Sequence, residues 1–408
     1  MTNKNTGGVA MVLFAASLGA HAQSSGIVRP SYEFPAAPAT TGPASMQVGS
    51  SPFFFSPYVG LGAGYDDNLF LTSGNEKAST LYVFNPGFSL DARDPNKVIQ
   101  LKYQAQIGRY GQSEADDYVD QNGRAQFDVA ITSRNFLRMG LDYVRGHDPR
   151  GSTDRPVGPA PDRYKNTNPF VTYAFGAPGA QGRLEAYYSY QDRKYLNNRE
   201  TTAGSDRKTE EYGGIFYWRV MPKTYAIFEA RETRIAYHLP TSPLDANETR
   251  IYGGVSWEAT AATTGTIKVG NLKRRPDADN VPEFSGTSWE GTITWSPRTY
   301  SKFDFYTARQ TNESTGLGNF ILSSIAGVSW NHSWSSVLST GVDYRYQKDE
   351  YQGFDRTDKS NILGLKVGYK FRRWLTLGAE YSHTQRDSNV PTFEYDKNLY
   401  LLTATASM

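Results

Sequence analysis

The chain contains no cysteine. Disulfide frameworks, thiolate nucleophiles and cysteine-based metal sites are therefore excluded. Beyond its N-terminus it has no apolar run near the roughly 18 residues that a membrane helix requires, and its mean hydropathy is -0.57. A helical membrane protein is excluded on those grounds. A transmembrane barrel is not, because a strand needs apolar residues only at alternate positions. The chain also lacks an excess of either charge. Its 43 basic and 41 acidic residues leave a net +2, whereas nucleic-acid binding calls for a marked basic excess.

Catalytic signatures are missing as well. Beyond the N-terminal segment the histidines are His147, His238, His332 and His383, scattered and without HExxH spacing. His332 in "NHS" and Ser382-His383 each pair a serine with a histidine, but a turn and a strand end account for them. No GxSxG elbow or phosphate-binding glycine loop is present. The sequence thus points to a non-enzymatic protein with no metal or other cofactor. The acidic run "EADDYVD", Glu114 to Asp120, lacks EF-hand spacing and is expected to be a solvated loop rather than a Ca²⁺ site.

What the chain does have is alternation. In "IQLKYQAQIGRY", Ile99, Leu101, Tyr103, Ala105 and Ile107 interleave with Gln100, Lys102, Gln104 and Gln106. Period-two patterning marks a strand with one dry and one wet face. The pattern recurs over 56–70, 80–90, 98–110, 118–131, 136–146, 164–175, 182–193, 209–220 and 223–235. It continues over 248–260, 264–273, 285–296, 299–309, 319–331, 335–347, 358–371, 374–385 and 395–407. Most segments reach the 9–11 residues a tilted strand needs to cross a bilayer.

The connections alternate too. Those after even-numbered strands are short, such as "TSRN", "VMPK" and "FRRW". Those after odd-numbered strands are mostly long and polar, such as "RGHDPRGSTDRPVGPAPDR". Short periplasmic turns and longer external loops are the habit of outer-membrane barrels. The expected fold is an all-β, antiparallel transmembrane outer-membrane barrel of about 18 strands, with both termini periplasmic.

Residues 1–22 read as a secretory signal: Lys4 precedes an apolar Val9–Ala20 core, and Ala20-His21-Ala22 offers a cleavage site. Residues 23–51, rich in Pro, Ala, Ser and Gly, read as a flexible periplasmic leader, and 52–408 as the barrel. Trp218, Trp295, Trp330, Trp334 and Trp374 lie near short turns, the placement of a periplasmic aromatic girdle. "NLKRRPD", Asn271 to Asp277, puts three cations near the outer rim, where lipopolysaccharide phosphates lie. Lipid and lipopolysaccharide of the outer membrane are the expected surroundings of the barrel.

Barrels of about 16–18 strands enclose water, so the polar parity lists the lumen. It carries Gln100, Lys102, Gln104, Gln106, Arg124, Asp128, Arg138, Asp142, Arg183 and Glu185. Glu211, Arg219, Glu229, Arg231, Arg250, Glu258, Lys268 and Glu290 follow, then Lys302, Asp304, Asp343, Arg345, Lys366 and Glu380. Both signs are present, with Tyr187 and Tyr217 among them. Mixed charge suits a hydroxyl-rich solute, although charges in any wet wall also pair with one another. A phosphate-selective pore would need a basic excess.

The first strand ends on "GYDDNLFLT", with Tyr65, Asp66, Asp67, Asn68, Leu69 and Phe70. This run resembles the first-strand pattern of a family of outer-membrane β-barrels associated with exopolysaccharide operons, and the likeness extends loosely over the whole barrel. The resemblance implies an exit channel for a polysaccharide, handed over by a periplasmic polysaccharide-export protein. The alternatives are a general or sugar-selective diffusion porin, whose lumen the long "RGHDPRGSTDRPVGPAPDRYK" segment would narrow, and a non-conducting surface barrel.

Overall fold

The computed structural model describes residues 45–260 and 262–407. The expected signal segment, its cleavage site and most of the leader lie outside the described residues. After a two-residue strand, Met46–Gln47, come eighteen long strands, each antiparallel to its neighbours. They are β1 (Phe53–Asp66), β2 (Ser79–Asp94), β3 (Lys97–Tyr110), β4 (Tyr118–Thr132), β5 (Asn135–Asp148) and β6 (Asp162–Phe175). Next are β7 (Gly182–Tyr195), β8 (Arg207–Met221), β9 (Thr224–Tyr237), β10 (Ala246–Thr260), β11 (Thr263–Pro276) and β12 (Phe284–Arg298). The last are β13 (Ser301–Asn312), β14 (Phe320–Ser333), β15 (Leu338–Gln352), β16 (Thr357–Arg372), β17 (Leu375–Ser388) and β18 (Tyr395–Ser407). β18 pairs with β1, from Leu399 opposite Asp66 to Ser407 opposite Tyr58, and the sheet closes into a barrel. Closure removes the unpaired edge that could not survive in hydrocarbon.

All eighteen expected segments overlap an observed strand. Two ends differ in an instructive way. The first strand stops at Asp66 rather than running to residue 70, because Asn68 folds the chain back: its Nδ2 donates to Thr72 O (2.7 Å) and its Oδ1 accepts from the Thr72 N–H (3.1 Å). β15 starts at Leu338, not 335, because Ser335 Oγ accepts the N–H groups of Val337 and Leu338 and extends the turn. Its far end continues to Gln352, past the apolar belt.

The outer face is apolar in the middle. Leu61, Phe228, Ile251 and Leu402 are each about 60% exposed or more (59%, 62%, 62% and 66%). In water that would be a defect; facing lipid it is the required surface. The belt ends in aromatics on both sides. Trp218, Trp295, Trp334 and Trp374 are exposed at the short-turn end, and Trp330 stacks on Phe303 beside them. At the long-loop end the ring is tyrosine: Tyr65, Tyr82, Tyr143, Tyr188, Tyr212, Tyr344 and Tyr400. The inner face is polar between apolar clusters. Leu81, Val83, Tyr118, Leu399 and Leu401 form one near the long loops, and Leu272, Phe320 and Leu322 another. Toward the short turns lie Tyr187, Ile215, Tyr217 and Ile227, and Phe136 with Ala174.

Candidate channel lumen and its strap

The Tyr65–Phe70 run closes the seam between the first and last strands. The regular pairing of β1 with β18 ends at Asp66 and Leu399. One more backbone bond follows, from the Asp67 N–H to Asn398 O at 3.2 Å, and side chains add the rest. Inside, Lys397 Nζ pairs with Asp66 at 2.6 Å. Asp67 accepts the Asn398 N–H and Nδ2, each at 2.7 Å. Asn68 Nδ2 reaches Asp396 O at 2.8 Å. Three consecutive residues at the end of β1 and just beyond it thus clasp three of β18. Phe70 lies under the Arg150 guanidinium, 4.2 Å from its carbon.

The connection 149–161 between β5 and β6 leaves its own hairpin and crosses the mouth. Asp154 anchors it on the far wall, past the eight strands β6 to β13, and Arg155 ties that contact to β6 and the β7–β8 loop. The Asp154 N–H donates to Thr315 Oγ1 (3.1 Å), whose hydroxyl donates to Asp154 Oδ2 (2.9 Å). Asp154 Oδ1 accepts from Tyr351 Oη and pairs with Arg356, both at 2.8 Å. Arg155 donates to Thr315 O (3.0 Å) and Ser205 Oγ (3.1 Å) and pairs with Asp162 at 2.7 Å. On the near side Arg150 pairs with Asp116. Gly151 has φ of +80°, and a Cβ there would stand 1.9 Å from Phe70 O, so only glycine fits. Ser152, Thr153 and Arg155 are buried. The connection is a strap held at both ends.

Below the strap lies a cavity of about 1090 Å³. It reaches from Pro149 and Glu313 down to Arg138 and Glu185, each the fourth residue from the short-turn end of its strand. The barrel wall around it divides into two kinds. On β9 to β12 the charges are buried and mutually neutralised. Lys268 Nζ lies 2.6 Å from Glu229 and 2.8 Å from Glu290, and Arg231 holds Glu229 at 2.6 Å and Glu290 at 2.8 Å. Tyr187 Oη donates to Glu229 at 3.0 Å. Above this cluster, Arg250 pairs with Glu248, and Arg274 with Glu313 at 2.7 Å. Glu313 sits in the β13–β14 loop. Burial alone would raise its carboxyl, but Arg274, Arg207 and the Tyr237 hydroxyl hold it below the usual carboxylate range. Arg274 belongs to the run expected at the outer rim; it turns inward, while Lys273 pairs with Glu283 at 2.8 Å.

The other wall faces the cavity. Gln106, Arg124, Arg138, Asp142, Glu185 and Glu211 line it, as do Asp343, Arg345, Lys366 and Glu380 opposite. Some are paired: Arg124 with Asp142 (3.0 Å), Arg138 with Asp128 (2.6 Å) and Arg183 with Glu185 (3.0 Å). Gln106 donates to Tyr118 Oη (3.1 Å) and Gln100 to Asp91 (3.0 Å). Lys102 and Gln104 stand opposite Arg124 and Asn122 on β4. Gln100, Lys102, Gln104, Asp128, Arg183, Glu229, Lys268 and Glu290 do not line the cavity itself, and two further residues turn to the short-turn end. Arg219 donates to Gly179 O in the β6–β7 turn, and Glu258 lies exposed beside the β8–β9 turn. The acidic run Glu114–Asp120 is divided: Asp116 takes Arg150, Asp117 takes Arg109, and Asp120 takes His147.

A closed antiparallel barrel with a lipid-facing apolar belt and a polar internal cavity defines a porin-like transmembrane β-barrel. Residues 38–408 match the family described as Putative beta-barrel porin 2, and the chain belongs to it. It is thus an outer-membrane barrel of a porin-like family. No curated protein matches the sequence. Among solved structures, OccAB2 of Acinetobacter baumannii is 13% identical over 87% of this chain and 98% of that one, with a TM-score of 0.47. OccK2 (OpdF) of Pseudomonas aeruginosa, solved with glucuronate, is 10% identical over 87% and 98%, with a TM-score of 0.49. The FrpB iron transporter of Neisseria meningitidis is 13% identical over 81% and 62%, with a TM-score of 0.43.

Proposed function

We propose that this barrel is a diffusion channel for small polar solutes, with its long loops outward and its mouth narrowed by the 149–161 strap. The observation that carries this reading is the strap's anchorage on both walls. A bound strap leaves room for small molecules and obstructs a polymer. The lumen bears both signs, so no charge class of solute is strongly favoured, and the unneutralised wall from Asp343 to Glu380 offers hydrogen bonds to a hydroxylated solute. No reaction is catalysed in this reading.

Exit of an exopolysaccharide, delivered by a periplasmic export protein, is the second reading. The first-strand resemblance favours it. The contacts of that run hold the seam, however, and of the run only Asp66 and Leu69 line the cavity. Swelling of proteoliposomes in isosmotic sugars separates the two. Diffusion of small solutes predicts rapid swelling with monosaccharides and progressively slower swelling with longer oligosaccharides. Equal rates across that series would overturn the narrow-channel reading and favour polymer export.

A further inference from the structure

On the outer face of β5 to β8, just beyond the tyrosine ring, the wall carries a row of cations. Arg145 stands directly opposite Lys165, and Lys165 directly opposite Lys194. Arg163 and Lys208 flank them, and Arg145, Arg163, Lys165 and Lys208 are exposed. Below the row on the same face come Tyr143, Tyr188 and Tyr212. Two carboxylates share this face with the five cations: Asp192, opposite Lys208 and 3.3 Å from Lys194 but also 2.8 Å from His238, and Glu210, two residues below Lys208.

Like charges directly opposite across strands repel, and the row occupies three adjacent strands. Elsewhere on this rim Arg109 has Asp117, Lys273 has Glu283 and Lys348 has Glu350. Arg234 and Lys359, without an ion pair among the described residues, each stand opposite a carboxylate, Glu210 and Asp387. Among the described residues, Arg145, Arg163, Lys165 and Lys208 have no acidic group within ion-pair distance. A surface that places unbalanced cations one step above an interfacial aromatic ring is matched to anionic headgroups at that depth. We propose that this row binds the phosphate groups of the outer-leaflet glycolipid, lipid A. The acyl chains would lie along the apolar face below, and the phosphates would sit across the Arg145–Lys165–Lys194 line. The proposal rests on the long loops facing outward, not on what the lumen passes.

The test titrates lipid A into the purified barrel in neutral detergent, following bound lipid by native mass spectrometry. It compares the wild type with a triple variant, Arg145→Gln, Lys165→Gln and Lys194→Gln. Three cations lost at an anionic headgroup correspond to an affinity loss of about a hundredfold. Without lipid, the variant should unfold at the same temperature or higher, since the repulsion is gone. Equal lipid A affinity in both proteins would overturn the proposal. So would equal binding of dephosphorylated lipid A, or of phosphatidylglycerol, by the wild type. A variant less stable without lipid would assign the row a structural role instead. The assay is performed in detergent, so it does not depend on whether the channel conducts.

Discussion

Replacing Asp154 and Arg155 together with alanine is expected to raise single-channel conductance several-fold in planar bilayers. Asp154 ties the strap to Thr315, Tyr351 and Arg356, and Arg155 ties it to Thr315, Ser205 and Asp162. These groups are largely out of water, and removing one partner of a buried pair costs about 3–5 kcal/mol. A loss of about 4 kcal/mol shifts an attached–detached equilibrium by roughly a thousandfold, enough to free the far end. Gly151→Ala should act from the other side, since its Cβ collides with Phe70 O. The barrel itself should remain folded in both variants, because no strand pairing is touched. Conductance unchanged from wild type would mean that the strap does not limit flow.

Lys268→Met is expected to destabilise the barrel by about 3–5 kcal/mol in reversible denaturant unfolding. The substitution leaves Glu229 and Glu290 buried with Arg231 as their remaining close cation. Lys366→Met is the matched control. Lys366 faces the cavity and has no carboxylate within ion-pair distance among the described residues, so its loss should cost less than about 1 kcal/mol. Similar losses for the two would contradict the division into a neutralised wall and a cavity-facing wall.

That division was not legible in the sequence. Alternation placed Glu229, Arg231, Lys268 and Glu290 on the wet face, but period two cannot say which wet residues meet. Arg231 on β9 reaches Glu290 on β12, three strands away, and only the curvature of the closed sheet brings them together. The strands themselves were legible because each side chain answers to a single choice between lipid and lumen. The strap's origin could be read from its length. Its destination could not, because Asp154 meets Arg356 across 202 positions of sequence. The tyrosine ring left a signal in the 28 tyrosines of the chain, but tyrosines also occur on the inner face, whereas the tryptophans cluster by short turns and mark only the opposite rim. The Asp66-Asp67-Asn68 run was visible as a motif. Its role as a seam clasp required knowing that residues 396–398 lie beside it.

The chain has no cysteine of its own, so a pair introduced by Asp154→Cys and Thr315→Cys can report on the strap without background. Thr315 Oγ1 lies 2.9 Å from Asp154 Oδ2 across the mouth. Conductance of this double variant in planar bilayers, recorded after mild oxidation and again after reduction, is the most direct measurement. A strap that narrows the channel gives an intramolecular disulfide, low conductance when oxidised and a reversible several-fold rise when reduced. Failure to cross-link, or the same conductance in both states, would contradict the account.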